Sequence, residues 1–517
     1  MWRKVPAKLV LVMVDSLSTP MLRRAADSGE APHFAALLER GKLVPDCVST
    51  FPSVTPVATS AIATGRGPDE HWIPAMNWYH RAEGRYVEYG SSFEATRAFG
   101  VFRALYDTVY NLNLAHLNPR TPTFFERLGD AGVRSACTPF LVYRGRTRHQ
   151  LSLEGFARRA AFAADFRHAV YGPDELFYGE LYSSRPYPCR PTLARAGTRD
   201  EYSACVGEGL VRDDLFDFLL LSLPDNDHHA HRFGPEATVT SIAKADHCFG
   251  RLVEAGGGLD RFLDDHAVIL MADHAQVPVD RELPLIAGLA EEWRLLQPHD
   301  ERPERAELAV SPSARAAAVS ILAEGPRFER IHERLRQLLV QEDGVDLLAW
   351  LNPPCHPERR RSEAEPQSKD LGAPPAEAVV RSRRGELRFR PGSQQRDRRG
   401  KRWDLEGEWT VLGLKTRDAL LTSDAYPDPL GRLWAALVTP RAGDLLLSLA
   451  PGYECVDWGG ASHVAGGSHG ALAAEESLGP LLFVNCGPAD PTGQAWSVAD
   501  VYPHVLAHFG IETPLSS

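Results

Sequence analysis

Three apolar runs in this chain each end on an acid: "KLVLVMVD" (residues 8–15), "DFLLLSLPD" (217–225) and "HAVILMADH" (266–274). None alternates apolar with polar residues, so each reads as a strand buried on both faces, the hallmark of a parallel sheet sandwiched between helices. Helical patterns such as "PHFAALLERGKLV" lie between such runs, and "GDLLLSLAP" and "LGPLLFVNCG" extend the series downstream. The pattern predicts an α/β fold with a mostly parallel sheet. In such sheets ligands bind beyond the carboxyl ends of the strands. Asp15, one of Asp225 and Asp227, and Asp273 all fall there, so acids far apart in sequence are expected to converge.

The 517 residues suffice for one large α/β domain with a smaller insertion. Residues 1–275 and 441–517 are expected to form the catalytic core, and 276–440 an inserted cap. Within the cap "RFERIHERLRQLLVQ" reads as an amphipathic helix and "AVVRSRRGELRFRPG" as a hairpin turning near Gly385. The stretch 353–378, rich in Pro and charge and poor in large apolar residues, cannot bury enough surface to offset its ordering entropy, so disorder is expected there. A net charge of −11, from 57 basic and 68 acidic residues, argues against a nucleic-acid polymer or a membrane surface as partner. A small phosphate ester stays compatible, because bound divalent cations reverse the local sign. The apolar run Leu9 to Val14 is too short for a signal or membrane segment. Eight cysteines, at 47, 137, 189, 205, 248, 355, 455 and 486, show no CxxC spacing; reduced thiols and a cytoplasmic location are expected.

Four further stretches carry chemistry. "FPSVTPVATSAIATGRGPDEHWIPAMNW" (51–78) predicts a helix with Thr55 as N-cap and Pro56 in its first turn. A hydroxyl there sits beside free N–H groups and the positive end of the helix dipole, which favours an alkoxide and a phosphate. "LPDNDHHAHRFGP" (223–235) offers the Asp-to-His spacing of a metal site twice, as Asp225 with His229 and as Asp227 with His231. Asp273 and His274 are adjacent and share one ion only if the strand has ended, since strand neighbours point to opposite faces. "GGASHVAGGSHGAL" (459–472) holds His463 and His469 among glycines that permit close backbone approach, His469 being the better placed. Taken singly, each also reads as ordinary structure: a turn or cap, a Ser/Thr-rich helix start, a flexible loop.

Their order along the chain is more specific. "VDS", "FPSVT" followed by Thr64-Gly65 and by Pro68 and His71, "DHHAHRFGP", "ADH" and "GGSHG" together resemble the alkaline phosphatase superfamily, and within it the type I phosphodiesterase/nucleotide pyrophosphatase family. The resemblance spans about residues 8–275 and 440–517, including the tail "DVYPHVLAHFGIETP". It implies an alkaline-phosphatase-like three-layer α/β/α sandwich. The family's Gly-Pro spacing after the second motif selects Asp227 and His231, because counting from Asp225 and His229 puts Gly234-Pro235 too late. The interval from Pro52 and to Thr64 selects Thr55 as nucleophile.

Carried over residue by residue, Asp227, His231 and His469 hold one ion, and Asp15, Asp273, His274 and the Thr55 oxygen the other. The donor set, without thiolate, favours Zn²⁺, with Mn²⁺ as the alternative. The implied reaction is attack of Thr55 on phosphorus, giving a phospho-threonine that water hydrolyses. Asn77 is the nearest match to the family's phosphoryl-oxygen ligand, one residue later than the pattern. Ala230 and Ala275 stand where glycines are usual, which bears on loop geometry more than on the metals. The alternatives are a phosphomonoesterase or phosphonoacetate-type hydrolase of the same superfamily and, in a different class, a catalytically silent binding protein. A sulfatase lacks its C-x-P-x-R or S-x-P-x-R segment here, and the Ser nucleophile context of a cofactor-independent phosphoglycerate mutase is not found.

Overall fold

The computed structural model describes residues 6–153, 159, 166, 168–179, 181–190, 199–300, 302–353 and 376–513. Its main sheet has eight strands, in the order Lys42–Val48, Leu478–Val484, His266–Met271, Lys8–Val14, Phe218–Leu223, Ser135–Cys137, Glu175–Tyr178 and Tyr182–Ser183. Lys8–Val14 (β1) lies at the centre, parallel to both Phe218–Leu223 (β2) and His266–Met271 (β3). Residues of β1 alternate between two cores. Leu9, Leu11 and Met13 pack with Val57, Phe124 and Val505 on one face. Val10, Val12 and Val14 pack with Leu22, Phe34 and Phe249 on the other. Helices therefore cover both faces, which gives the expected α/β/α sandwich. Each such Leu or Val, fully buried, contributes about 1.5–3 kcal/mol relative to exposure.

Register brings the strand-end acids together. Met13 lies opposite Met271 and Val14 opposite Leu223. Two residues beyond Met13 and Met271 come Asp15 and Asp273, and just beyond Leu223 begins the helix Asp225–Phe233 (α2).

The second sheet has nine strands, nearly all antiparallel, and takes strands from Leu308–Ser313 through Leu445–Leu449. The expected amphipathic helix is Gly325–Leu339. The expected hairpin joins Glu377–Ser382 to Gly385–Asp397, with Gly385 at a positive φ of 134° next to the turn. One strand differs from expectation. The sequence pattern places the run "GDLLLSLAP" in the main sheet, yet Leu445–Leu449 pairs antiparallel with Ala316–Ile321 and Val345–Asn352 in the second. An apolar run shows that a strand is buried, not against which sheet. Of the stretch 353–378 expected to be disordered, residues 354–375 lie outside the described residues.

The cysteine expectation is corrected as well: Cys189 and Cys205 form a disulfide, while Cys47, Cys137, Cys248, Cys455 and Cys486 are free. The bond joins a loop to the helix Arg199–Arg212 and closes a segment with no motif spacing. It removes the thiol argument for a reducing compartment. Among the described residues no helix is long and apolar enough to cross a membrane.

Candidate metal centre and its cleft

Three local structures build the centre. Beyond β1 the chain turns sharply at Ser16, whose φ is 58°. Across from it, the helix Thr55–Thr64 (α1) begins at Thr55 itself, with the extended Val54 as N-cap. The expected cap is thus displaced by one residue, and the Thr55 hydroxyl remains at the helix N-terminus.

The third element, α2, turns the two Asp/His pairs of "LPDNDHHAHRFGP" away from one another. Residues four apart share a helix face, whereas residues two apart lie on nearly opposite faces. Asp227 and His231 face the cleft, with Asp227 Oδ1 3.4 Å from His231 Nε2. Asp225 is engaged elsewhere: its Oδ2 accepts from the Asp200 N–H at 3.0 Å and its Oδ1 from Arg199 Nε at 3.3 Å. His229 turns toward the Ala237 carbonyl, 3.2 Å from its Nε2.

The residues singled out from the sequence converge with one exception. Asp227 Oδ1 is 3.7 Å from His469 Nε2. His274 Nε2 lies 3.2 Å from Thr55 Oγ1, 3.4 Å from Asp273 Oδ2 and 3.8 Å from Asp15 Oδ1. Two groups of donors close enough to share an ion result, Asp227 with His274 and His469, and Asp15 with Asp273 and His274, so His274 stands in both and the expected ligand His231, beside Asp227, in neither. Asp273 and His274 act together because the strand has ended at Met271.

These residues fit a pair of divalent cations. Asp15 Oδ1 and Asp273 Oδ2 are buried without a hydrogen-bond partner, which is costly for a carboxylate unless a cation is close. Burial, with the neighbouring acid charges, pushes the Asp15 carboxyl well above the ordinary range. Burial, followed by the charge of Asp227, raises Asp273 to about 6. Burial acts on Asp227 in the same sense, but the imidazoles of His231, His469 and His274 and the Ser16 hydroxyl outweigh it and hold this carboxyl far below the usual range. Burial lowers His231, His274 and His469 each to about 4, so all three are neutral near pH 7 and keep a lone pair for a metal. His231 Nδ1 sits 2.8 Å from the Gly467 carbonyl and His469 Nδ1 2.8 Å from that of Ser53. Both rings therefore carry their proton on Nδ1 and present Nε2 to the centre.

Sequence reasoning missed the groups that orient these donors. Ser16 Oγ donates to Asp227 Oδ1 at 2.6 Å and lies 3.1 Å from His274 Nδ1. Gln276 Nε2 donates to the same Asp227 oxygen at 2.6 Å. Ser16 follows Asp15, and Gln276 lies two residues past His274; a polar residue beside a ligand was the only signal. Glu454 was also missed; its Oε1 lies 2.8 Å from His463 Nδ1, and the His463 ring is 4.1 Å from that of His231. Close approach explains the glycines of the His469 loop. A Cβ on Gly466 would lie 1.9 Å from the His231 carbonyl oxygen.

The centre opens on a cleft of about 710 Å³, reached by Asp15, Thr55, Asp227, His231 and His469. Of the aromatics in 78–120, Tyr89 and Phe93 line it, whereas Trp78, Tyr79, Tyr86 and Tyr110 are core. Asn77 is the exception to convergence. Met76 lines the cleft and Asn77 does not; the Asn77 amide donates to the Val87 carbonyl at 3.2 Å and to Glu88 Oε2 at 3.0 Å. Asn77 opens the strand Asn77–His80, where a shift of one residue reverses the direction of the side chain.

The family described as type I phosphodiesterase / nucleotide pyrophosphatase matches residues 9–471. No curated protein matches the chain. Among solved structures the chain is similar to murine ectonucleotide pyrophosphatase / phosphodiesterase 5, at 13% identity and a TM-score of 0.58, covering 99% of this chain and 97% of that one. It is similar to phosphonoacetate hydrolase from Sinorhizobium meliloti 1021 in complex with phosphonoformate, at 16% identity and a TM-score of 0.52, covering 97% and 95%. An inactive variant of the murine protein in complex with AMP is similar at 12% identity and a TM-score of 0.57, covering 99% and 96%. At these identities the structural likeness establishes a shared fold.

Proposed function

Since the chain belongs to the type I phosphodiesterase / nucleotide pyrophosphatase family, we propose that it is a metal-dependent hydrolase that cleaves P–O bonds of phosphodiesters or nucleotide pyrophosphates through a phosphorylated Thr55. The observation that carries this reading is the Thr55 hydroxyl at a helix N-terminus, 3.2 Å from His274 Nε2, beside two groups of acid and imidazole donors. Asp227, His231 and His469 would hold one divalent cation, and Asp15, Asp273, His274 and Thr55 the other. Carboxylate and imidazole donors without thiolate favour Zn²⁺ over Mn²⁺. Such a pair supplies Lewis acidity to the attacking and departing oxygens.

The protein's own groups do the rest. Thr55 Oγ1, once deprotonated, attacks phosphorus, and the bond to the leaving alkoxide breaks. Water then cleaves the Oγ1–P bond, releasing a phosphomonoester and restoring the hydroxyl. The N-terminus of α1 would face the phosphoryl oxygens with the positive end of its dipole; Pro56 has no N–H, and the Val57 and Ala58 N–H groups are already bonded to the Val54 carbonyl, both at 3.0 Å. Ser16 and Gln276 hold Asp227 in one orientation. Asn77 was the sequence candidate for a phosphoryl-oxygen donor. Its amide is engaged with Val87 and Glu88, so we assign oxygen binding to the α1 N-terminus instead.

A small nucleotide-type ligand suits the cleft, as AMP does the murine relative. The alternative is a phosphomonoesterase or phosphonoacetate-type hydrolase. Turnover of bis(4-nitrophenyl) phosphate against 4-nitrophenyl phosphate separates the readings: faster diester cleavage is expected, and a clear monoester preference would overturn the proposal.

A further inference from the structure

Among the charged side chains that line the cleft, acids predominate. Asp15, Glu94, Asp227, Glu454 and Asp457 reach it, and Arg199 is the only arginine or lysine among the described residues that line it. Arg199 opens the helix Arg199–Arg212, and its side chain is 43% exposed. Its one hydrogen bond among the described residues uses Nε, toward Asp225 Oδ1 at 3.3 Å. Among the described residues no hydrogen bond engages the forked end of the guanidinium.

The anchor fixes where that fork sits. Asp225 stands two residues before Asp227 on α2, and the helix starts are tied reciprocally: Asp225 Oδ2 accepts from the Asp200 N–H and Asp200 Oδ1 from the Asp225 N–H, both at 3.0 Å. The helix that carries Asp227 and His231 therefore also holds Arg199 in place.

We propose that Arg199 is a specificity-determining residue that binds a second anionic group of the substrate, a phosphate or a carboxylate, beyond the scissile phosphoryl. A guanidinium binds such oxygens in pairs with fixed geometry, which the acids lining the cleft do not offer. The preferred substrates are then phosphate esters with two anionic centres rather than simple diesters. The proposal rests on the reading of the centre as a phosphodiesterase.

Three probes test it: bis(4-nitrophenyl) phosphate with no second anion, UDP-glucose with a second phosphate, and glycerophosphoserine with a carboxylate. Arg199→Ala is expected to lower kcat/KM about 10- to 100-fold on whichever anion-bearing probe fits, while changing bis(4-nitrophenyl) phosphate less than about 3-fold. The probe that falls identifies the anion. Arg199→Lys should recover part of the loss. An equal loss on all three probes, or no loss on either anion-bearing one, overturns the proposal. Calorimetry keeps the two readings apart. In a Thr55→Ala background, adding Arg199→Ala should weaken binding of the preferred anionic probe by a similar factor, whether or not any diester is turned over. Unchanged binding overturns the proposal, whereas an enzyme without diester turnover overturns only the phosphodiesterase reading.

Discussion

Replacing Asp225 or Asp227 with alanine removes the same carboxylate from positions two residues apart on α2, with opposite expected consequences. Asp225→Ala deletes an acceptor for the Asp200 N–H and for a part-exposed Arg199. Loss of such a helix-start acceptor costs about 0.5–2 kcal/mol, and the exposed ion pair adds less than about 1 kcal/mol. Against this, Asp200 is relieved: burial and then the charge of Asp225 hold its carboxyl up to about 8. The net cost is about 1 kcal/mol, a shift of about 2 °C or less in a chain of this size, with metal content unchanged. Asp227→Ala deletes a donor of one ion group and removes the carboxylate acceptor of Ser16 Oγ and Gln276 Nε2, which keep their contacts with His274 and with the residue 227 carbonyl. At a free metal concentration about 100 times Kd, each ion adds about 2.7 kcal/mol to stability, and this variant forfeits one such contribution. Without metal the penalty shrinks, because the charge of Asp227 raises both Asp15 and Asp273. Elemental analysis and thermal melts with and without chelator give the readout. About two ions per chain are expected for wild type and Asp225→Ala, and about one or fewer for Asp227→Ala, with a smaller chelator-dependent shift. Equal metal loss in both variants would refute the assignment of the two faces of α2.

Thr55→Ala should abolish turnover, by at least about 10³-fold, with ion content retained, as elemental analysis of the purified variant will show. Gly466→Ala places a Cβ 1.9 Å from the His231 carbonyl; it should cost the ion of Asp227, His231 and His469 while the other is kept, again read from metal content. Because the folded pKa of Asp273 is about 6 and that of Asp15 lies well above the usual range, these acids bear protons in the metal-free protein at mildly acidic pH. Ion uptake must displace those protons, so affinity falls as pH drops through about 6, and calorimetry at pH 6 in two buffers of different ionisation enthalpy should report more proton release than at pH 8.5. The imidazoles, lowered to about 4, do not titrate in that window. Asp200 binds its proton more tightly folded than unfolded, so its contribution to stability is full at low pH and is lost as pH rises toward about 8; Asp200→Asn should raise the melting temperature more at pH 8 than at pH 5.

What could be read from the sequence was whatever a period or a spacing encodes. An unbroken apolar run ending in Asp15 specifies a buried strand and the end at which ligands gather, and in-register parallel pairing then sets Asp273 opposite Asp15. The choice of Asp227 over Asp225 came from Gly234-Pro235, and the helix supplies its physical basis, since only one Asp/His pair can face the cleft. Ser16 and Gln276 escaped because their role depends on contacts 211 and 49 residues away, which no local pattern records. Asn77 illustrates the opposite hazard, a motif counted correctly to within one residue on an element where one residue reverses direction. Leu445–Leu449 was recognisable as a strand but not by sheet, and the Cys189–Cys205 pairing, 16 residues apart, follows no motif.

The distance along the chain between the donors also orders events during synthesis. Asp15 emerges first and His469 last, and the strand Leu478–Val484 that separates Lys42–Val48 from His266–Met271 is made later still. Until it is in place, the apolar edges of both neighbours stay unpaired, and contacts of this separation close slowly. The donors Asp15, Thr55, Asp273 and His274 are all made by residue 274, whereas the set of Asp227, His231 and His469 stays incomplete until His469 appears. At that site metal capture would be the closing step and a latch: an ion that needs Asp227 and His469 together would keep the middle of the polypeptide and its C-terminal part from parting.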